Sequence, residues 1–133
     1  MRILALDYGA ARIGCAISDP SGTLATPLSS LASGDPESVA RLATEQRADR
    51  IVIGLPVSLD GSERGQAEET RRFGERLANL IDLPVEYYDE RFTTRMASRT
   101  RRETGATSDE DSIAAAHLLD GYLTALGSRG EGQ

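Results

Sequence analysis

Four acidic residues stand where chemistry is expected. Asp7 closes the apolar run Ile3-Leu4-Ala5-Leu6, and Tyr8-Gly9 follow it at once. A short, nearly continuous apolar run ending at a glycine turn reads as a strand buried on both faces. Asp7 then sits at the carboxyl end of a central strand, the edge at which open α/β sheets bind ligands. Asp89-Glu90 ends a second run, Val85-Glu86-Tyr87-Tyr88, and Asp111 opens the last helix. Carboxylates gathered from distant parts of a chain are hard oxygen ligands, suited to Mg²⁺ or Mn²⁺. A metal held in that way points to phosphate chemistry.

Helix geometry tests Asp111. Counting from it, Ala114, Ala115, Leu118, Leu119, Tyr122 and Leu126 form one apolar stripe, the stripe that packs on a sheet. Asp111 therefore points at the sheet, and a bare carboxylate there is costly unless it is paired or binds a cation. The bland alternative is a cap, because Ser108-x-x-Asp111 resembles a capping box. For Asp7 the bland alternative is a turn aspartate bonded to local amides. Asp89 and Glu90 face opposite ways in an extended chain, so only one can join Asp7; pattern alone leaves open which. His117 and Asp120 lie roughly 240° and 180° round the helix from Asp111, at ~100° per residue, and both are expected to face solvent. The single histidine is thus poorly placed as a general base. Cys15 reads as a small buried strand residue.

These residues need a scaffold. The chain reads as strands at 2–7, Arg12 to Ser18, and Thr23 to Leu28, the last an edge because Pro27 cannot donate to a ladder. Asp35-Pro36 caps a helix running to about Arg47, followed by a strand from Arg50 to Leu55 and a loop from Pro56 to Glu63. A helix from Gly65 to Ile81 carries Phe73, Leu77, Leu80 and Ile81 on one face. Pro84 to Tyr88 is the fifth strand. Thr93 caps a short helix ending near Gly105, and the last helix starts at Ser108 or Asp109 and ends before Gly127. The expectation is one domain over 1–126 with a disordered tail, 127–133. Three hairpin-linked strands followed by βαβ crossovers predict an α/β fold: a mixed five-stranded sheet with helices on both faces. That is the order of a ribonuclease H-like fold.

Composition narrows the class. At 133 residues and 39% hydrophobic content, the chain can bury a proper core. No apolar stretch approaches the roughly 20 residues of a membrane helix, and the N-terminal run, broken at Asp7, does not read as a signal peptide. The single cysteine fits a reducing cytoplasm. Net charge is −6 and all fifteen basic residues are arginine. Their distribution matters more than their sum. Arg95, Arg99 and Arg102 fall at i, i+4 and i+7, on one face of a helix just after Glu90, with Arg91 and Arg101 nearby. The stripe is either a solvated face or a phosphate-binding surface. Sparse aromatics give no base-stacking platform.

The motifs resemble a known family. Leu6-Asp7-Tyr8-Gly9 with Arg12-Ile13-Gly14-Cys15-Ala16, Gly54-Leu55-Pro56 with Asp60-Gly61-Ser62, Asp89-Glu90-Arg91-Phe92-Thr93-Thr94, and Asp111-Ser112-Ile113-Ala114-Ala115 together resemble the YqgF/RuvX family. Its members are named as Holliday junction resolvases or pre-16S rRNA nucleases. The resemblance spans about residues 2–126. It implies a ribonuclease H-like fold, a cytoplasmic location and dependence on divalent metal. Matched motif by motif, it puts the acidic site on Asp7, Glu90 and Asp111, favouring Glu90 over Asp89. Two positions depart from the family pattern: Ala11 stands where lysine is usual before Arg12, and Glu110 where an apolar residue usually precedes the last aspartate.

The expected activity is a metal-dependent endonuclease acting on structured RNA, in 5′-end processing of pre-16S rRNA. Two Mg²⁺ or Mn²⁺ ions are expected with substrate, Asp7 bridging them and Glu90 and Asp111 each fixing one. Arg12, Arg91, Arg95, Arg99 and Arg102 are the expected nucleic-acid contacts. The protein is expected to be a monomer or weak homodimer without membrane association. The alternatives are a four-way DNA junction resolvase, which needs a dimer with two sites, and a non-catalytic ribosome-assembly or transcription partner. A nucleotide-binding reading rests on Asp7-x-Gly9 before a hairpin, but such proteins close two domains around a cleft.

Overall fold

The computed structural model describes residues 1–56, 65–89 and 110–128. In chain order the elements are β1 (Ile3–Tyr8), β2 (Arg12–Ser18), β3 (Ala25–Pro27), β4 (Leu31–Ala32), α1 (Pro36–Glu45), β5 (Arg50–Leu55), α2 (Gly65–Ala78), β6 (Val85–Asp89) and α3 (Glu110–Ser128). The strands form one mixed sheet in the order β3-β2-β1-β5-β6, with β4 also on β2. β2 is antiparallel to β1, β3 and β4, whereas β5 runs parallel to both β1 and β6. Among the described residues the sheet therefore has six strands, not five. The extra one, β4, has only two residues, too few for alternation to register. No helix among the described residues is long and apolar enough to cross a membrane.

Strand alternation divides the core in two. Leu4 and Leu6 of β1, Ile13, Cys15 and Ile17 of β2, and Ile51 and Ile53 of β5 face α1 and α2, where Val39, Ala43, Phe73 and Leu77 meet them. Ile3 and Ala5, Ala16, and Val52 face the other way, onto Ala115, Ala116, Leu118, Leu119 and Tyr122 of α3. Burying a Leu, Ile or Phe side chain contributes roughly 1.5–3 kcal/mol, so the first face supplies much of the cohesion.

The helices begin and end for local reasons. The Asp35 carboxylate accepts from the N–H groups of Glu37 at 3.1 Å and Ser38 at 3.4 Å, and Pro36 occupies the first turn. Such a cap is worth about 1 kcal/mol. α1 stops at Glu45, two residues short of expectation, because Arg47 takes a left-handed conformation with φ 55°, an ending more often made by glycine. α2 also ends early, at Ala78, and Leu80 is 48% exposed instead of joining the apolar face. α3 runs through Gly127 to Ser128, past the expected boundary at 126. The expected helix from Thr93 to Gly105 and the residues after Ser128 lie outside the described residues.

Candidate active site

The site is built at the carboxyl end of β1. Asp7 has the same parity as Ile3 and Ala5, so its side chain leaves the sheet on the α3 face. Its partner across the antiparallel ladder is Gly14 of β2. A Cβ at residue 14 would overlap the main-chain carbonyl of Asp111 and lie 2.9 Å from the Ser112 nitrogen. The first turn of α3 therefore rests directly on Gly14, one strand from Asp7. The two carboxylates expected to act together are thus brought to one end and one face of the sheet.

Contacts from two sides hold the hairpin that carries this end of β1. Gly9 N–H donates to the Arg12 carbonyl at 3.0 Å, closing the turn. The Ser33 hydroxyl donates to the Gly9 carbonyl at 2.6 Å, and Ser33 N–H to Ala11 at 3.1 Å. From the opposite side, the Gln66 amide of α2 donates to the Tyr8 carbonyl at 3.3 Å, and the Tyr8 ring lies 4.6 Å from that of Phe73. Nothing in the sequence marked Ser33 or Gln66, because neither sits in a periodic or catalytic pattern.

Arg12 approaches the same site. Its Nε donates to the Ser30 hydroxyl at 2.8 Å and lies 3.9 Å from Asp111 Oδ2. The pair is open to solvent, with side chains 59% and 48% exposed, so it adds little stability. Its effect is local: a cation stands beside the Asp111 carboxylate. The half-exposed Asp111 side chain differs from the expected sheet-directed one. Its main chain packs on Gly14 while the carboxylate stays half exposed beside Arg12.

Asp89 is excluded from this cluster by parity. It pairs with Leu55 and shares the side of Val85 and Tyr87, which pack on the α1/α2 core. Asp7 faces the opposite side. Glu90, Arg91, Arg95, Arg99 and Arg102 lie outside the described residues, and among the described residues no group of three metal-ligating side chains occurs. The donor set that is visible, two carboxylates on one face, has the hard oxygen chemistry that divalent cations require.

His117 corrects the expectation of a solvent-facing residue: it is only 3% exposed. Ser112, Ile113 and Ala116 are buried as well, whereas Ala114 is only partly covered. α3 is enclosed over more of its circumference than a single apolar stripe. Asp120 is partly buried, and burial pushes its carboxyl above the usual aspartate value while the charge of His117 draws it back. At the other end of the sheet Arg50, Glu86 and Tyr122 form a polar knot: Arg50 Nη1 donates to the Tyr122 hydroxyl at 2.7 Å, which donates to Glu86 at 2.5 Å. The knot ties β5, β6 and α3 together away from Asp7.

Residues 1–125 match the family model of RuvX, described as Holliday junction resolvase. The chain belongs to the RuvX family. A relative from Chloroflexus aurantiacus, named "Putative pre-16S rRNA nuclease", is 38% identical over 132 residues, covering 92% of this chain and 86% of its own. A relative of the same name from Sulfurihydrogenibium is 40% identical, covering 94% and 91%. Among solved structures, Thermus thermophilus RuvC in complex with Holliday junction substrate superposes with a TM-score of 0.67 over 98% of this chain and 97% of that one, at 10% identity. Fowlpox virus resolvase with substrate Holliday junction DNA gives 0.61 over 95% and 99%, at 15% identity. These neighbours share the fold, which is ribonuclease H-like as the strand order predicts.

Proposed function

We propose that this RuvX protein is a metal-dependent endonuclease that trims structured precursor RNA at the 5′ end of pre-16S rRNA, pre-16S rRNA being the substrate its relatives' name points to. One observation carries the reading: Asp7 and the first turn of α3 meet across Gly14. Asp7 and Asp111 would hold divalent metal, and Glu90 would complete the set, since strand alternation carried one residue past Asp89 returns to the Asp7 face. Two such ions, when bound, supply an activated water and stabilise the leaving oxygen. The remaining work falls to the chain's own groups. Arg12, braced by Ser30, meets the scissile phosphate beside Asp111. Arg91, Arg95, Arg99 and Arg102 neutralise the flanking backbone, which an acidic protein must do locally. A reducing cytoplasm, where rRNA matures, suits the buried thiol of Cys15.

The deciding experiment offers matched substrates under Mg²⁺ or Mn²⁺: a precursor 16S rRNA 5′ segment, duplex DNA and a four-way DNA junction. Cleavage of the RNA, lost in Asp7→Asn, is the expected result. Cleavage of the junction alone would move the substrate to DNA. Cleavage of none, by folded protein, would overturn the enzymatic reading.

A further inference from the structure

Asp111 owes its place to two neighbours that carry no charge. The outer edge of β2 is shared by two short strands: β3 pairs with Ala16 to Ser18, and β4 with Arg12 and Ile13. Gly14 and Cys15 fall in the gap between them. There the Ser112 hydroxyl, wholly buried, accepts the Cys15 N–H at 3.1 Å. A helix side chain thus takes a hydrogen bond that a neighbouring strand would ordinarily take. Immediately beside it, Gly14 gives up its side chain so that the Asp111 backbone can lie on the strand. Glycine inside a strand marks just such a close approach.

We infer that Ser112 and Gly14 are positioning residues that fix the first turn of α3 in register with β1, and so set the distance between the Asp111 and Asp7 carboxylates. The inference rests on the metal-site reading above and deepens it. Neither residue touches substrate or metal; both act through Asp111. Ser112 is adjacent to Asp111 and anchored to the strand that pairs with β1, so play in that bond is passed to the carboxylate with little attenuation. Groups that orient metal ligands from behind typically change affinity by about 10–100-fold when removed.

The test is Mn²⁺ binding, followed by the electron paramagnetic resonance of the free ion, well below the melting temperature. Ser112→Ala should weaken Mn²⁺ binding about tenfold or more, and Gly14→Ala should weaken it further. Val39→Ala, which opens a cavity on the opposite face, is the control for simple destabilisation and should leave affinity within about twofold. Wild-type affinity in Ser112→Ala, or equal weakening in Val39→Ala, would overturn the inference. Should Gly14→Ala not fold, Ser112→Ala decides alone, since it deletes one atom. The underlying reading has its own arm: Asp7→Asn must lose the ion. If Asp7→Asn binds Mn²⁺ as wild type does, the metal site lies elsewhere and the inference falls with it, whatever Ser112→Ala does.

Discussion

The two faces of the sheet are built from different stock. The side under α1 and α2 is packed with leucine, isoleucine, valine and phenylalanine. The side under α3 offers Ala5, Gly14, Ala16 and Ser18, with Ile3 and Val52 as the branched residues that the central strands β1 and β5 bring to that cluster. Bulky side chains hold two layers apart and bind them by buried area. Small ones let a helix backbone come down onto a strand. Cohesion and placement are therefore assigned to opposite faces, and the placed face is the one with the carboxylates.

The largest expected effect separates these roles outright. Asp7→Asn should abolish cleavage while the melting temperature without metal holds or rises, because like-charge repulsion near Asp111 is relieved. Leu77→Ala, on the cohesive face, should do the reverse: lose about 2–5 kcal/mol of stability yet leave the folded fraction catalytic. Thermal melts and single-turnover assays on both variants check this, and an active Asp7→Asn free of contaminating nuclease would sink the catalytic reading.

The next effect compares neighbours that strand alternation would send to opposite faces. Glu90→Gln should cost orders of magnitude in cleavage, and Asp89→Asn much less, since Asp89 sides with the α1/α2 core. The opposite ranking in steady-state rates would mean that the β6 parity does not carry through to residue 90.

A smaller effect concerns binding by arginines outside the described residues. Replacing Arg95, Arg99 and Arg102 together by glutamine should weaken RNA binding and flatten log affinity against log salt by about 2 to 3 units. Sequence preference should not change, because phosphate contacts position without reading bases. Melting should be nearly constant. An unaltered salt slope would return the stripe to a solvated face.

The smallest effect probes the enclosed flank of α3. Burial raises the Asp120 carboxyl from its usual 3.8, so the folded state holds that proton more firmly than the unfolded chain. Stability is then lost as pH rises above 3.8 through the raised value. Asp120→Asn should melt slightly higher than wild type at pH 7, with the gain disappearing below pH 3.8. A gain that persisted into acid would mean that burial of the charge is not its source.

How much of this was legible in the sequence depended on pattern length. Asp7 could be read because four apolar residues precede it and a glycine turn follows. The bearing of α3 on the sheet could be read from the spacing of Ala115, Leu118, Leu119 and Tyr122, and all four are buried. His117 was misread because one stripe was assumed, whereas the helix is enclosed on more sides. β4 escaped because two residues have no period, and with it went Ser30 and Ser33, which brace Arg12 and the hairpin. Gly14 was visible as a glycine in a strand, but its purpose depends on a segment 97 positions away.

That separation, between Cys15 and Ser112, bears on how the protein is made. β1 and β2 leave the ribosome long before α3 does, and the hairpin can pair at once. Its small-residue face must then wait, uncovered, through most of translation. Until the final helix docks, no nascent chain can bring Asp111 to Asp7. The protein is thereby synthesised with Asp7 and Asp111 apart, and the candidate site is assembled only when α3 comes down on Gly14.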